Sequence, residues 1–417
     1  MPKDHQLLSP SLKALHKNLK SGNTTALDDF WNEILQQGTP LVEPIEGEEK
    51  YSFVTFLWRS DEIRGVSVIS LLTNPTTYPM NRLLDTDLWY MTCRVRKDVR
   101  TTYQFSPIDP ARTKGSENPW AQWRSDPHNP KTFAFYTADE DPTGMKLERS
   151  ILELENAPEQ PWIAFREKVP RGEITLHHLT SEILGNERRV WVYTPPGYPH
   201  DRQKAYALLI LFDGWGYLHL MPTPTILDNL ISAGRIPPMI AVFVDSLSLE
   251  TRLRELVYHD PFNDFLIKEL LPWIQDHFQV SSDRRQNILG GSSAGGLAAV
   301  YAGLKQPETF GKLLSQSGAF RLAPPGEDDF GWLARQFIER EKLPLRFHID
   351  VGTLEENSLR DLGDGPSLLA STRHMHDVLR GIGYEVDYHE FSGGHDTICW
   401  QGTLSRGLQS LLNESPG

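Results

Sequence analysis

The sequence predicts an α/β chain in two parts. An all-β antiparallel sandwich is expected over residues 1–150, then a linker at 151–170, then a mostly parallel sheet with helices on both faces over residues 171–417. Three observations carry this. Up to residue 150 the hydrophobic pattern has a period of two; beyond it, continuous apolar runs alternate with segments of helical period; and one of those runs ends in a glycine-rich turn that leads straight into a helix.

The elements follow in order. In "ALDDFWNEIL", Leu27, Phe30, Trp31, Ile34 and Leu35 fall on one helical face, and Gly38 follows as a stop. Short segments rich in β-branched and aromatic residues come next: "YSFVTFLWRS", "VSVISL", "LWYMTCRVRKD" and "TTYQFSP". In the third, Trp89, Met91, Cys93 and Val95 alternate with Tyr90, Thr92, Arg94 and Arg96, as in a strand with two unlike faces. Strands so closely spaced, with almost no helix between them, indicate a small sandwich. "LELENAPEQPW", rich in Pro and Glu and ending at Trp162, reads as a connector. Past it, "RRVWVYTPPGY" is a strand ending in a turn, while "YALLILFDG" and "MIAVFVD" are the unbroken apolar runs of strands covered on both faces. "DFLIKELLPWIQDHF" is an amphipathic helix, "KLLSQSG" and "LRFHIDVG" are strands, "SLLASTRHMHDVLRGIG" is a helix and "YEVDYHEF" is the last strand. Strand and helix in alternation build a parallel sheet.

Composition narrows the function. A chain of 417 residues exceeds one hydrophobic core, and 39% hydrophobic with 23% charged residues is ordinary for a folded globular protein. With 55 acidic against 42 basic residues, a net charge of -13 and no long block of like charge, nucleic acid is excluded as a partner. The N-terminal segment has no continuous apolar stretch with a cleavage site, and no run of about 18 apolar residues occurs. A cytoplasmic location with no membrane partner is therefore expected. Cys93 and Cys399 are the only cysteines, too few for a disulfide framework or a zinc site, and neither a metal site nor a cofactor is expected.

The chemistry centres on "LGGSSAGGLAAVYAG". Gly291-Ser292-Ser293-Ala294-Gly295 fits G-x-S-x-G between a buried strand and a helix, where a nucleophile elbow belongs. In such a turn the serine backbone is strained, so the residues two before and two after it must be small. Ser293 is the predicted nucleophile, and the N–H of Ala294 at the helix start is aimed at a developing oxyanion. A second donor is expected from the turn after "LLILF", at Gly214 or Trp215. A serine needs a base later in the chain. Of the 14 histidines, His374 and His376 fall in a helix and His348 and His389 in strands, whereas His395 follows the last strand after the flexible pair Gly393-Gly394. His395 is the predicted base. The acid that orients it is expected in the loop after "FHIDVG": Glu355 first, Glu356 and Asp361 as alternatives, with a Ser–His dyad if none is placed. Downstream of "AVFVD", Arg252, Arg254 and His259 are expected in a loop on the same rim of the sheet, where Arg252 and Arg254 would suit an anionic or phenolate-rich substrate.

Several strings together resemble the bacterial enterochelin (enterobactin) esterase family: "GGHDTICWQG" around His395, "GGSSAGGLAAVYAGLKQPETFGKLLSQSG" around Ser293, "RLREL" at Arg252, "LFDG" with Met221-Pro222 beyond it, and "RSDPHNP" at Arg124. The resemblance covers nearly the whole chain. It implies an N-terminal immunoglobulin-like domain joined to an α/β-hydrolase domain, and a cytoplasmic serine esterase that cleaves the trilactone backbone of ferric enterobactin so that the iron is released. Mapped by motif, Ser293 is the nucleophile, His395 the base, and the acid falls between Gly352 and Glu356. The chain departs from the family pattern in detail, at Ser292 and at the pair Arg252 and Arg254. Glucosylated enterobactins or another catechol trilactone are further candidates for the substrate. The alternatives are a phenolic-acid (feruloyl-type) esterase and a catalytically silent hydrolase fold used for binding.

Overall fold

The computed structural model describes residues 7–72, 76–108, 123–136, 146–199, 205–356 and 365–413. Two compact units divide the chain: Met1–Pro158 with Ser392–Gly394, and Glu159–Phe391 with His395–Gly417.

The first unit opens with α1 (Pro10–Lys20) and α2 (Ala26–Gln37). Ser9 caps α1 by accepting from the Leu12 N–H, with Pro10 at the first helical position, and α2 stops at Gly38. Nine strands follow: β1 (Leu41–Ile45), β2 (Glu48–Arg59), β3 (Val66–Ile69), β4 (Thr77–Pro79), β5 (Asn81–Arg82), β6 (Leu88–Arg96), β7 (Arg100–Pro107), β8 (Thr132–Tyr136) and β9 (Lys146–Glu153). They form two antiparallel sheets, ordered β1-β2-β6-β5 and β4-β3-β7-β9-β8. Phe56 and Trp58 of β2 meet Tyr103 and Phe105 of β7 edge to face, at centroid distances of 4.7 and 5.2 Å, and fill the gap between the sheets. Leu57 points the other way and joins Leu12, Leu15, Trp31, Ile34 and Tyr90 in a second buried cluster. The all-β expectation is corrected here, because α1 and α2 cover the outer face of the four-stranded sheet. A strand with both faces covered loses its alternation, and Leu88 to Met91 are all buried.

The second unit is built on eight strands: β10 (Glu173–Ser181), β11 (Asn186–Thr194), β12 (Ala207–Phe212), β13 (Met239–Val244), β14 (Asn287–Ser292), β15 (Lys312–Gln316), β16 (Arg346–Gly352) and β17 (Glu385–Phe391). Their order is β10-β11-β13-β12-β14-β15-β16-β17. The six strands from β13 to β17 pair in parallel, while β10 and β11 add an antiparallel edge. Between the strands run α3 (Thr223–Ser232), α4 (Leu249–Leu256), α5 (Asp260–Phe265), α6 (Leu271–His277), α7 (Ala294–Lys305), α8 (Trp332–Ile338), α9 (Leu368–Ile382) and, last, α10 (Thr397–Leu412).

β12, β13 and β14 are buried along their whole length. Consecutive residues of β15 show how both faces are covered. A Cβ on Gly303 of α7 would lie 2.4 Å from Leu313 Cδ1, and one on Gly407 of α10 would lie 2.9 Å from Leu314 Cδ1. Leu313 and Leu314 point to opposite faces, so α7 and α10 pack on opposite sides of the sheet. Strand order reverses at β12, with β13 on one side and β14 on the other. The carboxyl ends of β12 and β14 therefore frame the crevice where such sheets place their ligands. The segment from Thr251 to Phe262, expected as a loop, is instead helical: Ser248 accepts from the Thr251 N–H and starts α4, and α5 follows.

One buried charge cluster ties β16 to its neighbour. His348 is fully buried, with Nδ1 2.8 Å from Asp387 Oδ2 of β17 and Nε2 3.4 Å from Asp350 Oδ2. Arg406 of α10 binds the other oxygen of Asp387 at 3.0 Å. Burial alone would lower the His348 pKa, but hydrogen bonds and charge from Asp350 and Asp387 outweigh it and raise the value. Hydrogen bonding to His348 lowers that of Asp387 against the opposing effect of its burial.

Two outcomes are expected. Because the folded-state pKa of His348 is raised, its contribution is complete below the unfolded value of about 6.5 and is lost as pH climbs through the raised value. Melting temperature should therefore fall over that alkaline window in the wild type, and the fall should be blunted in His348→Gln. Phe347, fully buried against Phe337 and Tyr384, should cost about 3–5 kcal/mol when replaced by Ala, read from the urea midpoint.

Candidate active site

Ser293 stands between β14 and α7 with φ 57° and ψ -120°, a left-handed backbone that a non-glycine residue holds only under constraint. The constraint is visible. Its N–H donates to Gln316 O at 2.9 Å, and its carbonyl accepts from Leu297 and Ala319 N–H at 3.1 and 3.0 Å. The flanking glycines touch: a Cβ on Gly291 would lie 2.5 Å from the carbonyl carbon of Gly295, so the turn closes only without side chains there. Ala294 is the first residue of α7, and its N–H belongs to the first-turn set that no carbonyl within the helix can accept.

Across the crevice, the turn after β12 is strained as well, with Asp213 at φ 56°. Gly214 is pressed against β13, where a Cβ would meet the Phe243 carbonyl carbon at 2.5 Å. Gly214 and Trp215 thus start a helical turn at the same end of the sheet as Ser293. The Trp215 ring lies against His219 with centroids 5.3 Å apart.

Glu355, the first of the acids expected after β16, sits in an environment the sequence does not show. Glu355 lies in a short helical turn after β16 and is fully buried, rather than solvated like most loop glutamates. Oε2 is 2.8 Å from His395 Nδ1, while Oε1 accepts from the Gly352 N–H at 2.8 Å and from Ser317 Oγ at 2.6 Å. A carboxylate only accepts, so Nδ1 is the donor in this contact. Trp400 Nε1 donates to Ser317 Oγ at 2.9 Å, and its ring meets the His395 imidazole edge-on at 4.8 Å. Glu356 turns away and accepts from Ser367 at the start of α9. Asp361 lies outside the described residues.

The end of β15 is the hub that sequence reasoning missed. Gln316 holds the Ser293 N–H through its carbonyl, accepts from Tyr217 OH at 2.9 Å, and donates from Nε2 to Trp400 O and Thr403 Oγ1 at 2.8 and 2.7 Å. Burial, reinforced by the Asp213 and Asp350 charges, holds the Tyr217 phenol far above its usual pKa, so it remains a donor. The only written signal was the string "SQSG", which carries no mark of this role.

The two cations are not brought together as a substrate patch. Arg252 is half-buried and its Nε and Nη2 both bind Asp213 at 2.7 Å, so that edge of its fork faces the protein. Arg254 leaves 53% of its side chain in solvent, 3.8 Å from Glu255. His259 sits at the start of α5, where burial lowers its pKa. Among the described residues no group of three or more His, Cys, Asp or Glu side chains is placed to hold a metal ion, and no helix is long and apolar enough to cross a membrane.

The chain is similar to known proteins over most of its length. The esterase family model matches residues 181–411, and a model for the N-terminal part of enterochelin esterases matches residues 53–163. The iron(III) enterobactin esterase of Dickeya dadantii (strain 3937) is 28% identical, over 92% of this chain and 92% of that protein. The iron(III) salmochelin esterase of Escherichia coli O6:H1 (strain CFT073) is 27% identical, over 96% and 97%. Among solved structures, the enterobactin esterase from Shigella flexneri, crystallised in the presence of enterobactin, superposes with a TM-score of 0.71 at 26% identity, covering 92% of this chain and 97% of that one.

Replacing Glu355 by Gln keeps the shape but lets the side-chain amide face Nδ1, which favours the wrong imidazole tautomer. Turnover of any ester should fall about 10³-fold or more with the melting temperature little changed; a loss below tenfold would move the acid elsewhere.

Proposed function

The chain belongs to the esterase family, and we propose that it is a serine esterase that hydrolyses the trilactone backbone of a ferric catecholate siderophore, ferric enterobactin or its glucosylated form. One observation carries the catalytic half of this reading: the buried Glu355 carboxylate hydrogen-bonded to His395, in the same unit as a strained Ser293 at a strand–helix turn. The substrate half is supported by relatives matched over nearly their whole length, one described as an enterobactin and one as a salmochelin esterase.

The steps follow from the residues. Ser293 Oγ attacks a backbone ester carbonyl while His395 Nε2 takes its proton. The oxyanion of the tetrahedral intermediate is met by the N–H of Ala294 and of Gly214 or Trp215. Collapse breaks the ester bond, and the leaving serine hydroxyl takes the proton back from His395. Water, deprotonated by the same imidazole, then attacks the acyl-enzyme and restores Ser293. Glu355 keeps the ring oriented and stabilises the imidazolium formed in both halves. No cofactor takes part, and the iron travels with the substrate. A ferric tris-catecholate is anionic, and Arg254, exposed on α4, is the cation we assign to meet it. In this reading residues 1–150 form an immunoglobulin-like domain and residues 171–417 the α/β-hydrolase domain, and the enzyme releases iron in the cytoplasm.

A time course with ferric and iron-free enterobactin, its products separated by liquid chromatography and mass, tests the reading. Linear trimer, dimer and monomer of dihydroxybenzoylserine should appear with the wild type and not with Ser293→Ala. Intact trilactone in both reactions would overturn the substrate assignment.

A further inference from the structure

Arg252 and Asp213 form a bidentate ion pair beside the turn that carries Ser293. Nε and Nη2 run in parallel to the two carboxylate oxygens, 2.7 Å each, the arrangement in which the guanidinium fork matches a carboxylate. Three neighbours show what the pair connects. Asp213 directly follows β12 in its left-handed conformation and directly precedes Gly214. Its Oδ1 also accepts from Ser246 Oγ beyond β13 at 2.7 Å, and its Oδ2 approaches the first turn of α7 so closely that a Cβ on Gly295 would lie 3.2 Å away. Arg252 Nη2 comes within 3.5 Å of Ser292 O, the carbonyl that precedes the nucleophile. The pair therefore spans the two turns that carry the oxyanion donors, Gly214–Trp215 after β12 and Ala294 after β14.

We propose that the Asp213–Arg252 pair is a brace that fixes the separation of the two halves of the oxyanion hole, which makes Arg252 a positioning residue and not a substrate contact. The inference rests on the serine-esterase reading above. Its physical basis is the positive-φ backbone at Asp213, a conformation open to an aspartate but held here by the bidentate contact. Both carboxylate oxygens are anchored, so the turn cannot rotate without breaking a charged bidentate contact. Release of that anchor lets Gly214 and Trp215 relax, and their N–H groups drift from the oxyanion position. Those donors act on charge that develops in the transition state, so their misplacement lowers kcat more than it alters KM.

Steady-state kinetics on two esters separate this role from substrate binding. One is p-nitrophenyl butyrate, small and neutral; the other is ferric enterobactin, an anion. Arg252→Met should lower kcat on both by about 100-fold, the scale of a displacement of about 1 Å, with KM unchanged within about twofold. Arg252→Lys, which keeps the charge but loses the fork, should fall between the wild type and Arg252→Met on both substrates. Should Arg252→Met fail to give a cooperative melt, Arg252→Lys and Asp213→Asn carry the same comparison. A rise in KM confined to the anionic ester, with the neutral one turned over at the wild-type rate, would overturn the brace and make Arg252 a substrate cation while leaving the esterase reading intact. A wild type that cleaves neither ester would overturn both.

Discussion

Everything in the catalytic unit depends on holding Ser293 in a left-handed backbone conformation between a strand and a helix. No serine adopts φ 57° on its own account. The strain is sustained because the turn is fixed from every side: Gln316 takes the N–H, Leu297 and Ala319 donate to the carbonyl, and Gly291 abuts Gly295. The result is a hydroxyl held at the end of a fully buried strand, beside the start of a helix whose first N–H groups have no carbonyl to bind. In the proposed mechanism, the arrangement that makes the serine costly to hold also presents the first N–H groups of α7 ready-made to an oxyanion.

A second constraint acts on the acid. A carboxylate as buried as Glu355 must be matched by donors, or it would be neutral or expelled. The Gly352 N–H, Ser317 hydroxyl and His395 Nδ1 provide them, and Trp400 in turn orients Ser317. Gln316 and Ser317 are neighbours at the end of β15, so one strand terminus anchors Ser293 through a backbone carbonyl and Glu355 through a side chain. Parallel pairing brings β14, β15 and β16 to the same edge in register, which is how residues far apart in sequence become one site.

Much of this was legible in the sequence, for identifiable reasons. Continuous apolar runs mark strands covered on both faces, and β12 and β13 are such strands. The G-x-S-x-G spacing states a backbone requirement, so Ser293 and Ala294 could be located from it. Chain order and strand ends pointed to His395 and Glu355, which the structure joins by a 2.8 Å hydrogen bond. What stayed hidden depends on directions that only the folded chain defines. Ser317 and Trp400 are 83 residues apart, and nothing local marks either as a partner of Glu355. Arg252 was expected on this rim as a free cation, and a sequence does not show that Asp213, 39 residues earlier, already binds it. α1 escaped notice because its polar exposed face dilutes the buried Leu12 and Leu15.

The central claim is that Ser293 is the nucleophile and that His395, held by Glu355, activates it. Labelling with a fluorophosphonate, followed by digestion and mass mapping of the adduct, tests it most directly. A single adduct on the peptide that contains Ser293, absent from Ser293→Ala and formed much more slowly in His395→Ala, is the predicted result. An adduct elsewhere, or one that survives in Ser293→Ala, would contradict it.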